Sequence, residues 1–89
     1  MEAVSRYYSV SVQDMMGQSR VREILIPRQI AMHLLKKYLR MSQVRIGELF
    51  SGRDHTTVMN ACEKIDAKLQ NDQQMLREVR ALEKELDFV

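Results

Sequence analysis

Behind Pro27, the apolar residues Ile30, Ala31, Leu34, Leu35 and Tyr38 recur at intervals of three and four. In a strand those positions would scatter over both faces. On a helix of about 3.6 residues per turn they gather on one broad side. A helix is therefore predicted from Pro27, whose missing amide hydrogen costs nothing in a first turn, through Leu39 to about Arg40. A second stripe follows at Val58, Cys62, Ile65 and Leu69, and a third at Leu76, Val79, Leu82 and Leu86. One proline and three glycines in 89 residues are too few turn formers for a many-stranded β fold. The expected class is all-α.

Local signals divide the rest of the chain. Val4, Tyr7 and Tyr8 sit at helical spacing in an opening segment. Ser11 followed by Asp14 has the spacing of a capping box for a short helix ending near Gly17. The stretch GQSRVREILI, about 17–26, starts without a helical stripe and reads as a basic loop. Ser42 can cap a short helix carrying Val44, Ile46, Leu49 and Phe50. The turn Ser51-Gly52-Arg53 comes next, and Asp54 is a good N-cap for the following helix. After Asn71-Asp72 a last helix is expected over about 72–87, packed in cis or used in a dimer contact. About six helices thus fill a single domain over 1–89, a size that fits one small domain or a piece of a longer chain. A short helix, a glycine-containing turn and a helix with a polar first turn form a helix-turn-helix pattern over about 43–70. Many helix pairs share that spacing, so the pattern describes an arrangement and not yet a function.

The net charge of +2 hides an asymmetry. Residues 17–40 carry Arg20, Arg22, Arg28, Lys36, Lys37 and Arg40 against Glu23 alone, whereas 66–89 carry six acidic and four basic groups. One basic end suits an anionic partner. Several chemistries are set aside. No GxxxxGK loop occurs, so nucleotide hydrolysis has no site in this stretch. Cys62, His33 and His55 do not make a set of four clustered ligands, and no metal or other cofactor is expected. Cys62 lies near its helix's apolar stripe and reads as inert core, and His33 beside core positions reads as a satisfied or half-exposed histidine. No apolar run approaches membrane-spanning length, and the N-terminus lacks a signal peptide's apolar region. A cytoplasmic protein is expected, with no membrane partner.

The stretch SGRDHTTVMN, 51–60, carries the polar residues that the core does not need. Asp54 can satisfy amides near Thr56 or Thr57 as an N-cap, and it can accept from a cytosine amine if the helix end meets a base pair. The face with Val58 and Cys62 looks inward, so His55, Thr56 and Thr57 need not all be buried. A threonine offers a hydroxyl to a base or phosphate and a methyl to thymine, and first-turn amides favour a phosphate. The alternative is a plain polar surface cap. Arg20 and Arg22 lie on a segment able to follow a backbone or enter a narrow minor groove. Arg28 and Gln29 are expected in the first turn of the central helix, near a base edge or the backbone. Arg45 and Arg53 border the turn as phosphate candidates, and Lys36 is either a further phosphate contact or an ordinary solvated charge.

PRQIAM (27–32) and GRDHTTV (52–58), followed by Ala61 and Lys64-Ile65, resemble the C-terminal DNA-binding domain of the bacterial chromosomal replication initiator DnaA. The likeness covers roughly residues 2–70 and is weaker in the last helix. It implies a Trp-repressor-like helical domain that binds short asymmetric DNA boxes at a replication origin, as a monomer, in the bacterial nucleoid. It further implies that Asp54, His55, Thr56 and Thr57 face bases in the major groove, that Arg20 reaches the minor groove, and that Arg28 and Gln29 approach the duplex. ATP would belong to a separate AAA+ domain of a full-length initiator, and this domain would not be an enzyme. The chain departs from the family pattern in several places. GQSRVREILI is less basic than the usual loop, Ile26 stands where serine or arginine is commoner, and Ser51, Asn60 and Glu63 replace frequent glycine, histidine and basic residues. The alternative that these departures motivate is a helical protein-interaction or regulatory domain with weak or lost specific DNA binding.

Overall fold

The two longest helices pack against each other, and the remaining four close around them. In the computed structural model, which describes residues 1–19 and 21–87, the order is α1 (Glu2–Tyr8), α2 (Val12–Met16), α3 (Arg22–Tyr38), α4 (Gln43–Leu49), α5 (His55–Asn71) and α6 (Gln73–Glu85). No strand occurs among the described residues. The all-α, six-helix expectation is met. One core runs through all of it: Val4 of α1, Met15 of α2, Ile30 of α3, Ile46 of α4, Val58 and Ile65 of α5 and Leu82 of α6 are all buried. Removing large aliphatic side chains of this kind from water is the main stabilising term available to a small domain.

The caps read from sequence fall where expected. Ser11 Oγ accepts from the Asp14 amide at 3.0 Å and starts α2. Ser42 Oγ accepts from the Arg45 amide at 3.1 Å and starts α4. Each satisfies an amide that a helix start otherwise leaves without an internal partner.

Two elements differ from the sequence reading. The long helix begins at Arg22, so Pro27 sits inside α3 and the connection between α2 and α3 shrinks to about 17–21. Ser19 Oγ accepts from the Val21 amide at 3.2 Å, and the Val21 carbonyl accepts from Ile24 and Leu25 at 3.0 Å each. The half-buried Ile24, Leu25 and Ile26 give these early turns an apolar side. Proline leaves the Glu23 carbonyl without its usual intrahelical donor. Because Glu23 is exposed, water can take that place, and the helix continues. In α6 the buried face is Met75, Val79, Leu82 and Glu83, while Leu76 and Leu86 are half-buried. Met75 replaces Leu76 because Asp72 caps the Met75 amide at 3.0 Å and sets the rotation of the helix from its first turn. Glu83 can be buried because Tyr38 donates a hydrogen bond to it and Lys37 Nζ lies 3.8 Å away.

His33, read from sequence as satisfied or half-exposed, is buried between α3 and α5. Nδ1 lies 3.1 Å from Asp66 Oδ1, while Nε2 is buried without a hydrogen-bond partner. Burial pulls its pKa below the ordinary 6.5, with Lys37 acting in the same direction and Asp66 and Glu83 opposing it. An unpartnered ring nitrogen inside the core is tolerable only while the ring is neutral.

The turn between α4 and α5 depends on Gly47. A Cβ there would lie 2.1 Å from the Arg53 carbonyl oxygen, and the Gly47 carbonyl accepts from the Arg53 amide at 2.9 Å. Ser51 at φ 66° and Gly52 at φ 70° turn the chain through two successive left-handed residues.

Gly47→Ala is expected to destabilise the domain by roughly 1–3 kcal/mol, because the backbone contact must open to admit the methyl. Urea unfolding checks this, and an unchanged midpoint would contradict the packing described. For His33 the sign follows from its lowered pKa. Above about 6.5 neither the folded nor the unfolded chain holds the proton, whereas below it the unfolded chain takes up a proton that the folded one resists. Stability attributable to His33 is therefore lost as pH falls below that value. The parent should lose more stability between pH values of about 7 and 5 than His33→Gln. Equal losses in the two urea titrations would contradict the assignment.

Candidate nucleic-acid interface

The start of α5 presents its first turn to solvent. Asp54, His55, Thr56 and Thr57 are all exposed, while Val58, the next residue, is completely buried. Val58 thus fixes the helix against the core and its rotation leaves the preceding polar set outward. Asp54 Oδ1 accepts from the Thr56 amide at 2.7 Å, and this hydrogen bond from the backbone holds its carboxyl below the usual carboxylate range. The same oxygen lies 3.4 Å from His55 Nδ1. The capping role read for Asp54 is present.

Most of the first-turn amides are engaged at this helix end. The Thr57 and Val58 amides both turn to the Asp54 carbonyl, at 3.0 and 3.3 Å, and the Thr56 amide to its carboxylate. First-turn amides therefore offer little to a phosphate here. Side chains are what this end presents.

Thr57 also forms one wall of a groove between α5 and the first half of α3. Gln18, Leu25, Arg28, Arg53 and Thr57 line one part of it. The adjoining part adds Gln29, Asn60 and Lys64. The α2–α3 connection and α5 therefore border one depression, with positive charge supplied by Arg53 and Lys64. Arg53 Nη1 donates to the Phe50 carbonyl at 2.7 Å, which steadies it at the rim. Gln29 is half-buried and its Oε1 is enclosed without a hydrogen-bond partner.

Arg28 lines that groove, but its guanidinium is turned inward and is not presented to a partner. It is 3% exposed, and its guanidinium donates to the carbonyls of Met15 at 2.6 Å, Ser19 at 2.6 Å and Asp14 at 3.0 Å. Burial and the neighbouring Arg53 pull its pKa below the usual arginine value. The early start of α3 explains the difference: Arg28 falls in the second turn, facing α2, and not at a helix end. Arg20 lies outside the described residues. Arg22 is exposed on the first turn of α3. Arg45 is exposed on α4, 3.3 Å from Glu48. Lys36 lines a separate depression with His33, Lys37, Cys62 and Asp66, apart from the groove beside Thr57. Gln18, Asn60 and Lys64 were not singled out as site residues, although Asn60 and Lys64 follow Thr57 by three and seven residues, the spacing of one helix face. Glu63 is exposed and follows Thr56 by seven, so it shares that residue's outward face.

A sequence model for the family described as "Bacterial dnaA protein helix-turn-helix" matches residues 1–65, from α1 into α5. The chain belongs to the bacterial DnaA helix-turn-helix family. Among curated proteins it is similar to the chromosomal replication initiator protein DnaA of Lactobacillus delbrueckii subsp. bulgaricus, at 44% identity over 97% of this chain and 19% of that protein. DnaA of Thermomicrobium roseum is 43% identical over 92% of this chain and 18% of its own length. DnaA of Chloroflexus aurantiacus is 38% identical over the whole chain and 19% of its own length. The chain thus spans about one fifth of the length of these DnaA relatives. No helix among the described residues is long and apolar enough to cross a membrane.

Proposed function

We propose that this domain binds double-stranded DNA by sequence, at replication-origin boxes, as the DNA-binding part of a chromosomal replication initiator. The observation that carries the reading is the outward set Asp54, His55, Thr56 and Thr57 at the start of a long, well-anchored helix. Membership in the DnaA helix-turn-helix family supports the same partner class.

The start of α5 enters the major groove. Thr56 and Thr57 offer hydroxyls to base edges and methyls to thymine, and Asp54 accepts from a cytosine amine with the oxygen not engaged by the Thr56 amide. With Nδ1 held beside Asp54, His55 reads with Nε2. Arg53 and Lys64 contact phosphates along the groove rim, and Arg22 and Arg45 do so from the starts of α3 and α4. The α2–α3 connection reaches the minor groove, with Arg20 as its reading side chain. The domain acts as a monomer on an asymmetric box, carries no cofactor and catalyses nothing. ATP chemistry belongs to another part of a full-length initiator, and the nucleoid is where the complex acts.

Phosphate contacts make affinity fall with salt for any duplex, whereas base contacts make it differ between duplexes. Thr57→Ala is therefore expected to lower the preference for an origin-box duplex over a scrambled one by about 1–3 kcal/mol at fixed salt, with helical content unchanged. Equilibrium titration of both duplexes checks this. A folded Thr57→Ala protein with the parent's preference would remove Thr57 from readout. A parent that prefers neither duplex would favour the protein-interaction reading.

A further inference from the structure

Arg28 is a buried cation that the DNA-facing set leaves unused. Its three hydrogen bonds all go to backbone carbonyls, Asp14 and Met15 in α2 and Ser19 in the connection to α3. The planar guanidinium fork gives directed donors that a single ammonium cannot reproduce. The same stretch is held from its other side by the helix-turn-helix. Ser51 Oγ donates to the Met16 carbonyl, and Gln18 Nε2 donates to the Ser51 carbonyl at 3.3 Å. Ser51 adopts φ 66°, a conformation that glycine would take with less strain, so the hydroxyl tether is what serine adds there. Residues 14–19 are therefore gripped between α3 and the turn that launches α5.

We propose that Arg28, with Ser51 as its outer partner, is a positioning residue for DNA readout that holds the α2–α3 connection at a set distance from the start of α5. That spacing decides which base pairs the connection and the helix can read together. The inference rests on the DNA-reading function proposed above. Arg28 itself touches no base. Loss of a merely structural residue would weaken binding to all duplexes alike, whereas loss of a positioning residue selectively removes the minor-groove part of recognition.

Two variants test it. Arg28→Lys keeps the charge and loses the fork, and Ser51→Gly removes the tether at a position where glycine fits the backbone. Three duplexes read the grooves separately: the origin box, the box with adenine replaced by diaminopurine beneath the connection, and the box with thymine replaced by uracil beneath α5. Diaminopurine adds an amino group in the minor groove only, and uracil removes a methyl from the major groove only. The parent should be penalised by both replacements. Arg28→Lys, with helical content retained, should bind the unmodified box about tenfold more weakly, lose the diaminopurine penalty and keep the uracil penalty. Ser51→Gly should show the same selective loss, with a smaller fall in affinity. An unchanged diaminopurine penalty in both variants overturns the inference, as does a folded Arg28→Lys that loses both penalties together. A parent penalised by uracil alone removes the minor-groove role of the connection and this inference with it, leaving α5 as the reader. A parent indifferent to both replacements contradicts the DNA-reading function itself.

Discussion

The place where α5 begins is set by a contact between two backbones. Gly47 lacks a side chain, so the Arg53 carbonyl can approach it closely while the Arg53 amide donates to the Gly47 carbonyl at 2.9 Å. The chain then has one residue in which to start a helix, and Asp54 caps it. Val58 and Ile65 lock the rotation from the core side. Everything on the outward face of α5 inherits its direction from these constraints. A helix packed at a different rotation would bury Thr57 and expose the core stripe.

The second constraint is the buried guanidinium of Arg28. Placing a charged group inside a protein is unfavourable unless its donors are met, and here carbonyls of α2 and the following connection meet them. The consequence is a polar link from α3 to α2 and to the connection that follows it, added to the core contact that Met15 makes. Ser51 adds a further tie at the outer edge. A groove bounded by Gln18, Arg53 and Thr57 results, and its walls belong to both halves of the site.

Much of this was legible in the sequence because helices announce themselves through periodicity and caps. The stripes of α3 and α5, the caps Ser11, Ser42 and Asp54, and the outward run at 54–57 are local properties, and each is present in the structure. The start of α3 was not legible. Pro27 is a strong local signal for a first turn, and it is overridden by a helix start at Arg22, with Ile26 packing against the core just ahead of the proline. The role of Arg28 was hidden for a different reason. Its partners are carbonyls at 14, 15 and 19, and backbone acceptors leave no trace in side-chain identity. Glu83 and His33 are buried through contacts across helices, which spacing along one helix cannot show. Asn60 and Lys64 could have been found, since they share the Thr57 face at helical spacing.

The central claim is that the start of α5 and the α2–α3 connection form one DNA-binding surface. Titrating the isotope-labelled domain with an origin-box duplex, and following every backbone amide resonance, tests it most directly. The account predicts the largest changes at Gln18, Ser19, Arg22 and residues 53–57, with smaller ones at Asn60 and Lys64. Amides around His33, Asp66 and Tyr38 should stay near their free positions. Changes centred on the depression lined by His33, Lys36 and Asp66, with the start of α5 unmoved, would contradict it.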